Sequence, residues 1–145
     1  MDILTFTTPE NRWLSNMTRV NIHHKGVCYP STENFYQAMK YAEVSKRLYI
    51  SSLKPVESKK YSKENPMTST IFEDRKFAIM LYAQRKKFSQ EPFRSMLLAT
   101  GDCHIEEGNW WQDKFWGVDI KTREGENTLG KLIMKVRSEL QQGVL

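Results

Sequence analysis

The sequence is poor in cysteine. Cys28 and Cys103 are the only two in 145 residues, and two cysteines cannot build the disulfide framework of a small secreted domain. Neither belongs to a Cys-x-x-Cys pair, and His23, His24 and His104 lack metal-ligand spacing, so the pattern supports neither a zinc site nor a Cys–His nucleophile pair. No apolar run approaches the ~20 residues of a membrane helix. Met1-Asp2-Ile3-Leu4-Thr5 lacks the basic region and apolar run of a signal peptide, so the expected location is cytoplasmic, with no membrane partner. The 7 Gly and 5 Pro are scattered and leave no low-complexity linker. No block of like charge resembles a nucleic-acid-binding tail.

What is present is the make-up of a soluble globule. The chain is 39% hydrophobic, 12% aromatic and 27% charged, in a length suited to a single domain over residues 1–145. Lys and Arg number 22 against 17 Asp and Glu, a net +5. That balance favours anionic partners such as nucleotides, nucleic acid or phosphorylated metabolites, although a mildly basic solvated surface accounts for it equally well.

Local patterns give an α+β chain in which helices predominate. Ile3, Leu4 and Phe6 suggest a first strand, and Val20–His23, a Lys25-Gly26 turn and Val27–Tyr29 read as a hairpin. Ser31 is placed to cap a helix whose Phe35, Ala38, Met39 and Ala42 share one apolar face. Residues 51–70 are polar and contain Pro55 and Pro66, which suggests a broken helix or a long connection. Helices follow over 71–88 and from Pro92 to Thr100-Gly101. The Trp-dense stretch 103–120 predicts a strand mixed with loops. Leu129, Leu132, Ile133, Val136 and Leu140 mark a last helix, with Asn127 as its candidate N-cap.

Three places carry groups that packing does not ask for. Glu33, Gln37 and Lys40 are spaced i, i+4, i+7, off the Phe35/Met39 stripe. A carboxylate there can steady a developing positive charge or accept a proton from water, or it can simply stabilise a helix N-terminus on a solvated face. In Asn109–Gly117, four aromatic residues within seven positions are too many for a solvent-facing loop. Burying them would set Asp113 beside an apolar wall, where carboxylates acquire shifted pKa values, or would merely finish a small core with Asp113 paired to a Lys or a backbone amide. Gly125–Gly130 enters the last helix through two glycines, which suits a phosphate or plain capping, but it is neither a P-loop nor a dinucleotide fingerprint.

In this order the segments resemble the NADAR (YbiA-like) family, over about Trp13 to Leu140. The resemblance rests on Leu14-Ser15-Asn16, on Tyr29-Pro30-Ser31-Thr32-Glu33 through Gln37-Ala38-Met39-Lys40, and on Lys87-Phe88-Ser89-Gln90. It continues through Leu97–Gly101, Asp113–Gly117 and Gly125–Arg137. The sequence departs from the family's pattern at Phe72, where a Trp is usual; a phenyl ring still stacks but lacks the indole N–H. The resemblance implies a compact, mainly helical α+β domain, no metal or cofactor, and N-glycosidase chemistry at a ribose–nitrogen bond. One branch of the family acts on phosphorylated riboflavin-pathway intermediates, and another removes ADP-ribose from guanine in DNA.

Such cleavage passes through an oxocarbenium-like sugar, which needs a carboxylate and a hydrogen-bond donor for the leaving base. On that resemblance Glu33 is the expected principal catalytic carboxylate, and Asp113 either orients the ribose or serves as the partner acid or base, the sequence leaving the division of roles between the two open. Trp116 and Phe72 are then candidates to sandwich the base. Asn16, Gln37 and Asn127 suit ribose hydroxyls or base edges, and Lys40, Lys87 and the Gly125–Gly130 helix start suit phosphate. The leading expectation is hydrolysis of ADP-ribosyl-guanine in nucleic acid. The alternatives are an N-glycosidase of phosphorylated riboflavin intermediates and a non-catalytic ADP-ribose or nucleotide-binding module.

Overall fold

The computed structural model describes all residues, 1–145. It is α+β, with six α-helices, a short 3-10 segment and two two-stranded sheets. The chain forms two units: a middle unit of residues 16–87, and a terminal unit that joins residues 1–15 to 88–145.

In the middle unit β1 (Ile22–His24) pairs antiparallel with β2 (Val27–Tyr29), Ile22 opposite Tyr29. Lys25 and Gly26 join them at φ 48° and 80°. Two positive-φ residues are what a two-residue hairpin turn of the favoured twist demands, and glycine meets this at no steric cost. Helix α1 (Thr32–Ala38) begins where Ser31 Oγ accepts the Asn34 N–H at 3.0 Å, the predicted N-cap.

Here the structure departs from the sequence reading. Rather than one apolar face running to Ala42, all seven residues of α1 are buried, and Ala42 lies exposed beyond the helix end. The reason is enclosure: α2 (Val44–Ser51), α3 (Pro55–Glu64) and β2 all pack on α1. Phe35 forms the hub, its ring 5.3 Å from His24, 5.6 Å from Tyr29 and 5.5 Å from Tyr82. The buried Asn34 amide donates to the carbonyls of Ile50 and Leu53, both at 2.9 Å, and so ties down the α2–α3 turn. The polar stretch 51–70 therefore contains an ordered helix, α3, started by Pro55 and by Glu57 Oε1 accepting the Lys54 N–H at 2.8 Å. Helix α4 (Phe72–Phe88) follows as expected.

In the terminal unit the expected strand over Ile3–Phe6 reduces to one parallel bridge, Ile3 to Ile105. A 3-10 segment (Pro9–Leu14), α5 (Phe93–Ala99), the parallel pair β3 (Gly108–Asn109) and β4 (Val118–Asp119), and α6 (Thr128–Gln141) complete it. Leu129, Ile133, Val136 and Leu140 are buried as predicted, while Leu132 is only half-buried. Arg137, 6% exposed, is held on that face by Thr100 Oγ1 at 3.0 Å. No helix is long and apolar enough to cross a membrane.

Candidate active site

The predicted residues divide between the units. Asn16, Glu33, Gln37, Lys40, Phe72 and Lys87 belong to the middle unit, and Asp113, Trp116 and Asn127 to the terminal one.

Glu33 occupies the first turn of α1 and is 9% exposed, so the expectation of a solvated helix face fails for it. Its place is set from two sides. The backbone N–H of Glu33 donates to the Asn16 carbonyl at 3.0 Å, and one turn later Gln37 Nε2 donates to Glu33 Oε2 at 2.5 Å. Asn16 is fixed in turn. Its Oδ1 accepts from Thr32 Oγ1 and from Gln84 Nε2, each at 2.8 Å. Gln84, Asn16, Thr32, Glu33 and Gln37 therefore form one connected polar network around the start of α1.

Two atoms of that network lack a partner within the protein: Gln37 Oε1 and Gln84 Oε1, both buried. Leaving a buried acceptor unpaired costs about 1–3 kcal/mol, so each such oxygen calls for a donor from outside the protein, a water or a ligand hydroxyl. Gln84 was not found from sequence. The signal was there, since Met80, Gln84 and Lys87 are spaced i, i+4, i+7 and place two polar groups in line with an apolar one.

The cations are set in apolar surroundings. Lys40 Nζ lies 5.5 Å from the centre of the Tyr36 ring and 5.7 Å from that of Phe72. Burial pushes the Lys40 pKa down, and the Glu33 carboxylate opposes that shift. Phe72 is 2% exposed and edge-on to Tyr36 at 5.2 Å, so it is the floor beneath Lys40 rather than an open stacking face. Lys87 is fully enclosed, and burial lowers its ammonium to about 7.

Asp113 and Asn127 of the terminal unit bond chiefly to backbone. Asp113 Oδ1 accepts the N–H groups of Phe115 and Trp116, at 3.2 and 2.9 Å, and closes the turn that carries Trp116. The aromatic cluster is not all interior: Trp110 and Trp111 are 64% and 44% exposed, contrary to the burial expected for the whole run. Asn127 stands at the predicted N-cap position of α6 but takes a left-handed conformation, and its side chain makes no capping hydrogen bond. Its amide instead bridges backbone, accepting from Glu107 N–H at 3.0 Å and donating to the Ile105 carbonyl at 2.9 Å. The α6 start is also closed to an anion over four residues: the N–H groups of 126 to 129 donate to the carbonyls of Lys114, Gly117, Phe115 and Trp116. Gly130 is required there, because a Cβ would lie 2.3 Å from the Ile105 carbonyl oxygen.

Relatives carry the same architecture. The NMR structure of the E. coli protein YbiA superposes with a TM-score of 0.83 at 25% identity, covering 99% of this chain and 86% of that one. A riboflavin biosynthesis protein of Vibrio vulnificus is 35% identical over 135 residues, which is 90% of this chain but 36% of that protein, so the chain spans about a third of that relative's length. An N-glycosidase of Acanthamoeba polyphaga mimivirus is 33% identical over 130 residues, covering 82% of this chain and 70% of that protein. The NADAR domain model matches residues 5–141, which include both the Glu33 network and the α6 start, and the chain belongs to the NADAR domain family.

Proposed function

We propose that this protein is an N-glycosidase that hydrolyses a ribose–nitrogen bond, with Glu33 as the principal carboxylate. One observation carries the reading. A buried carboxylate accepts from Gln37, on a residue whose backbone N–H is tied to the Asn16 carbonyl, inside a network that holds two buried, unpartnered amide oxygens. An N-glycosidic transition state presents a cationic sugar carbon and several hydroxyl donors, and this set of acceptors complements both. The C–N bond breaks as water adds to the anomeric carbon. Glu33 stabilises the cation or takes the water's proton, and the departing base nitrogen acquires a proton. Lys40, a cation beside Glu33 on an aromatic floor, suits a phosphate of the substrate. Asp113, Trp116, Asn127 and Lys87 act on this reading by holding backbone and side chains in place.

The substrate we favour is ADP-ribosyl-guanine in nucleic acid, in keeping with the net +5 charge. A second substrate class, phosphorylated riboflavin-pathway intermediates, is supported by the name of the Vibrio relative. A product assay separates them. The purified protein is incubated with an oligonucleotide carrying ADP-ribosylated guanine, and released ADP-ribose and restored oligonucleotide are weighed by mass spectrometry. Release by the wild type and not by Glu33→Gln supports the leading reading. Turnover of the riboflavin intermediates alone replaces it with the second. Turnover of neither by the folded protein, with ADP-ribose still bound, leaves a binding module.

A further inference from the structure

A cleft of about 440 Å³ opens in the middle unit between the chain leading into and out of the hairpin and the turn joining α2 to α3. Its lining carries two cations, Arg19 and Lys54, and no carboxylate. Apolar walls come from Met17, Leu53 and Pro55. The nearest acid in the chain, Glu57, is turned back onto the Lys54 N–H at 2.8 Å. Neither Arg19 nor Lys54 is in an ion pair. Two exposed cations on the lining of one cleft, neither in an ion pair, with the hydroxyls of Ser51 and Ser52 and the Asn21 amide among the polar lining and Met17, Leu53 and Pro55 among the apolar, fit an anion attached to a planar or partly apolar body. The cleft is tied to the Glu33 network by covalent sequence, since Met17 follows Asn16 directly.

We propose that this cleft binds a nucleotide phosphate, held between Arg19 and Lys54, with the sugar or base against Met17, Leu53 and Pro55. The volume admits about one nucleotide. The phosphate can belong to a strand flanking the modified base or to a free nucleotide. This deepens the N-glycosidase reading and rests on it for the identity of the ligand, but its test reads occupancy rather than turnover.

The exposed thiol of Cys28 lines the same cleft and supplies the readout. Alkylation of Cys28 by iodoacetamide is followed by peptide mapping, which separates it from Cys103. The probes are tetrathymidylate, AMP and ADP-ribose, each added to the Glu33→Gln protein so that no turnover intervenes. At least one probe is expected to slow Cys28 alkylation, and Arg19→Glu/Lys54→Glu is expected to need about tenfold or more of it for half-protection. Protection by tetrathymidylate assigns the cleft to a strand, and protection by AMP or ADP-ribose assigns it to a free nucleotide. With a strand, the double variant also flattens the log–log salt dependence by about 1 per cation removed. An unchanged melting temperature shows the double variant to be folded. No protection by any probe, or protection that the charge reversal leaves intact, overturns the proposal. Either result can occur with hydrolysis present or absent, so the two readings fail separately.

Discussion

Glu33 is worth most where it is least able to move. Its N–H is tied to Asn16 and its Oε2 to Gln37, so the carboxylate is oriented before any substrate arrives. Glu33→Gln is expected to lower kcat by about 10²- to 10⁴-fold while KM and melting temperature stay near wild type; a rate within a few-fold of wild type would remove Glu33 from the chemistry. Asn16→Ala leaves Gln84 Nε2 with the weak Met80 sulfur as its acceptor and Oε1 still unpaired, so a stability loss of about 1–3 kcal/mol in urea titration is expected, together with a fall in kcat. Lys87 gives a pH signature. Its folded pKa, about 7, lies below the ordinary lysine value of 10.5, so between those pH values the unfolded chain holds more protons and stability rises with pH. Lys87→Met is expected to lose that rise, and denaturation of both proteins at pH 7 and pH 9.5 measures it. Equal slopes would place the enclosed ammonium in a better-solvated setting than its burial implies. Glu33, Gln37 and Lys40 stood out in the sequence because each is a polar residue that the apolar stripe does not explain, whereas Asn16 entered only through the family resemblance; the network joins Asn16, Glu33 and Gln37. The position of Asn127 was legible but the use of its side chain was not, because a polar side chain before a helix can cap it or bridge backbone and leaves the same mark in sequence either way.

Among the elements, the span and most of the buried stripe of α6 were legible, and α2 was not. The stripe of α6 buries Ile133 and leaves Leu132 half-covered, so Ile133→Ala is expected to cost about 2–5 kcal/mol and Leu132→Ala distinctly less. Equal losses in chemical denaturation would mean that α6 packs in another rotation. Val44, Leu48 and Tyr49 of α2 remain exposed, so its apolar residues trace no buried face for the period to reveal. Helix α3 was hidden by its charge, and what holds it is position-specific: Pro55, the Glu57 cap and the buried Ser58 donating to the Pro55 carbonyl at 2.7 Å. Its place depends on contacts with α1, which lie outside any local pattern. Ser31→Ala removes the α1 cap and is expected to cost about 1 kcal/mol, with a larger effect on kcat than on KM because the cap sits two residues before Glu33. A stability loss with kcat unchanged would separate the cap from the site.

For the whole molecule, the net +5 charge bears on which substrates reach the site rather than on what happens there. If the substrate is a strand, its KM is expected to rise with salt while that of ADP-ribosylated guanosine changes much less. Parallel salt curves for the two would argue that no flanking phosphate is held. The enclosure of α1 has another consequence. Its seven residues carry both the proposed reactive carboxylate and a central part of the middle-unit core, so tolerance for change there is limited twice over. In a mutational survey scored only by protein abundance, with activity made dispensable, Phe35 and Ala38 would still tolerate few changes, while Glu33→Gln would pass. The invariance usually taken as the mark of a reactive centre would, over most of this helix, be enforced by foldability, and only at Glu33 would the comparison of abundance with activity tell the two apart.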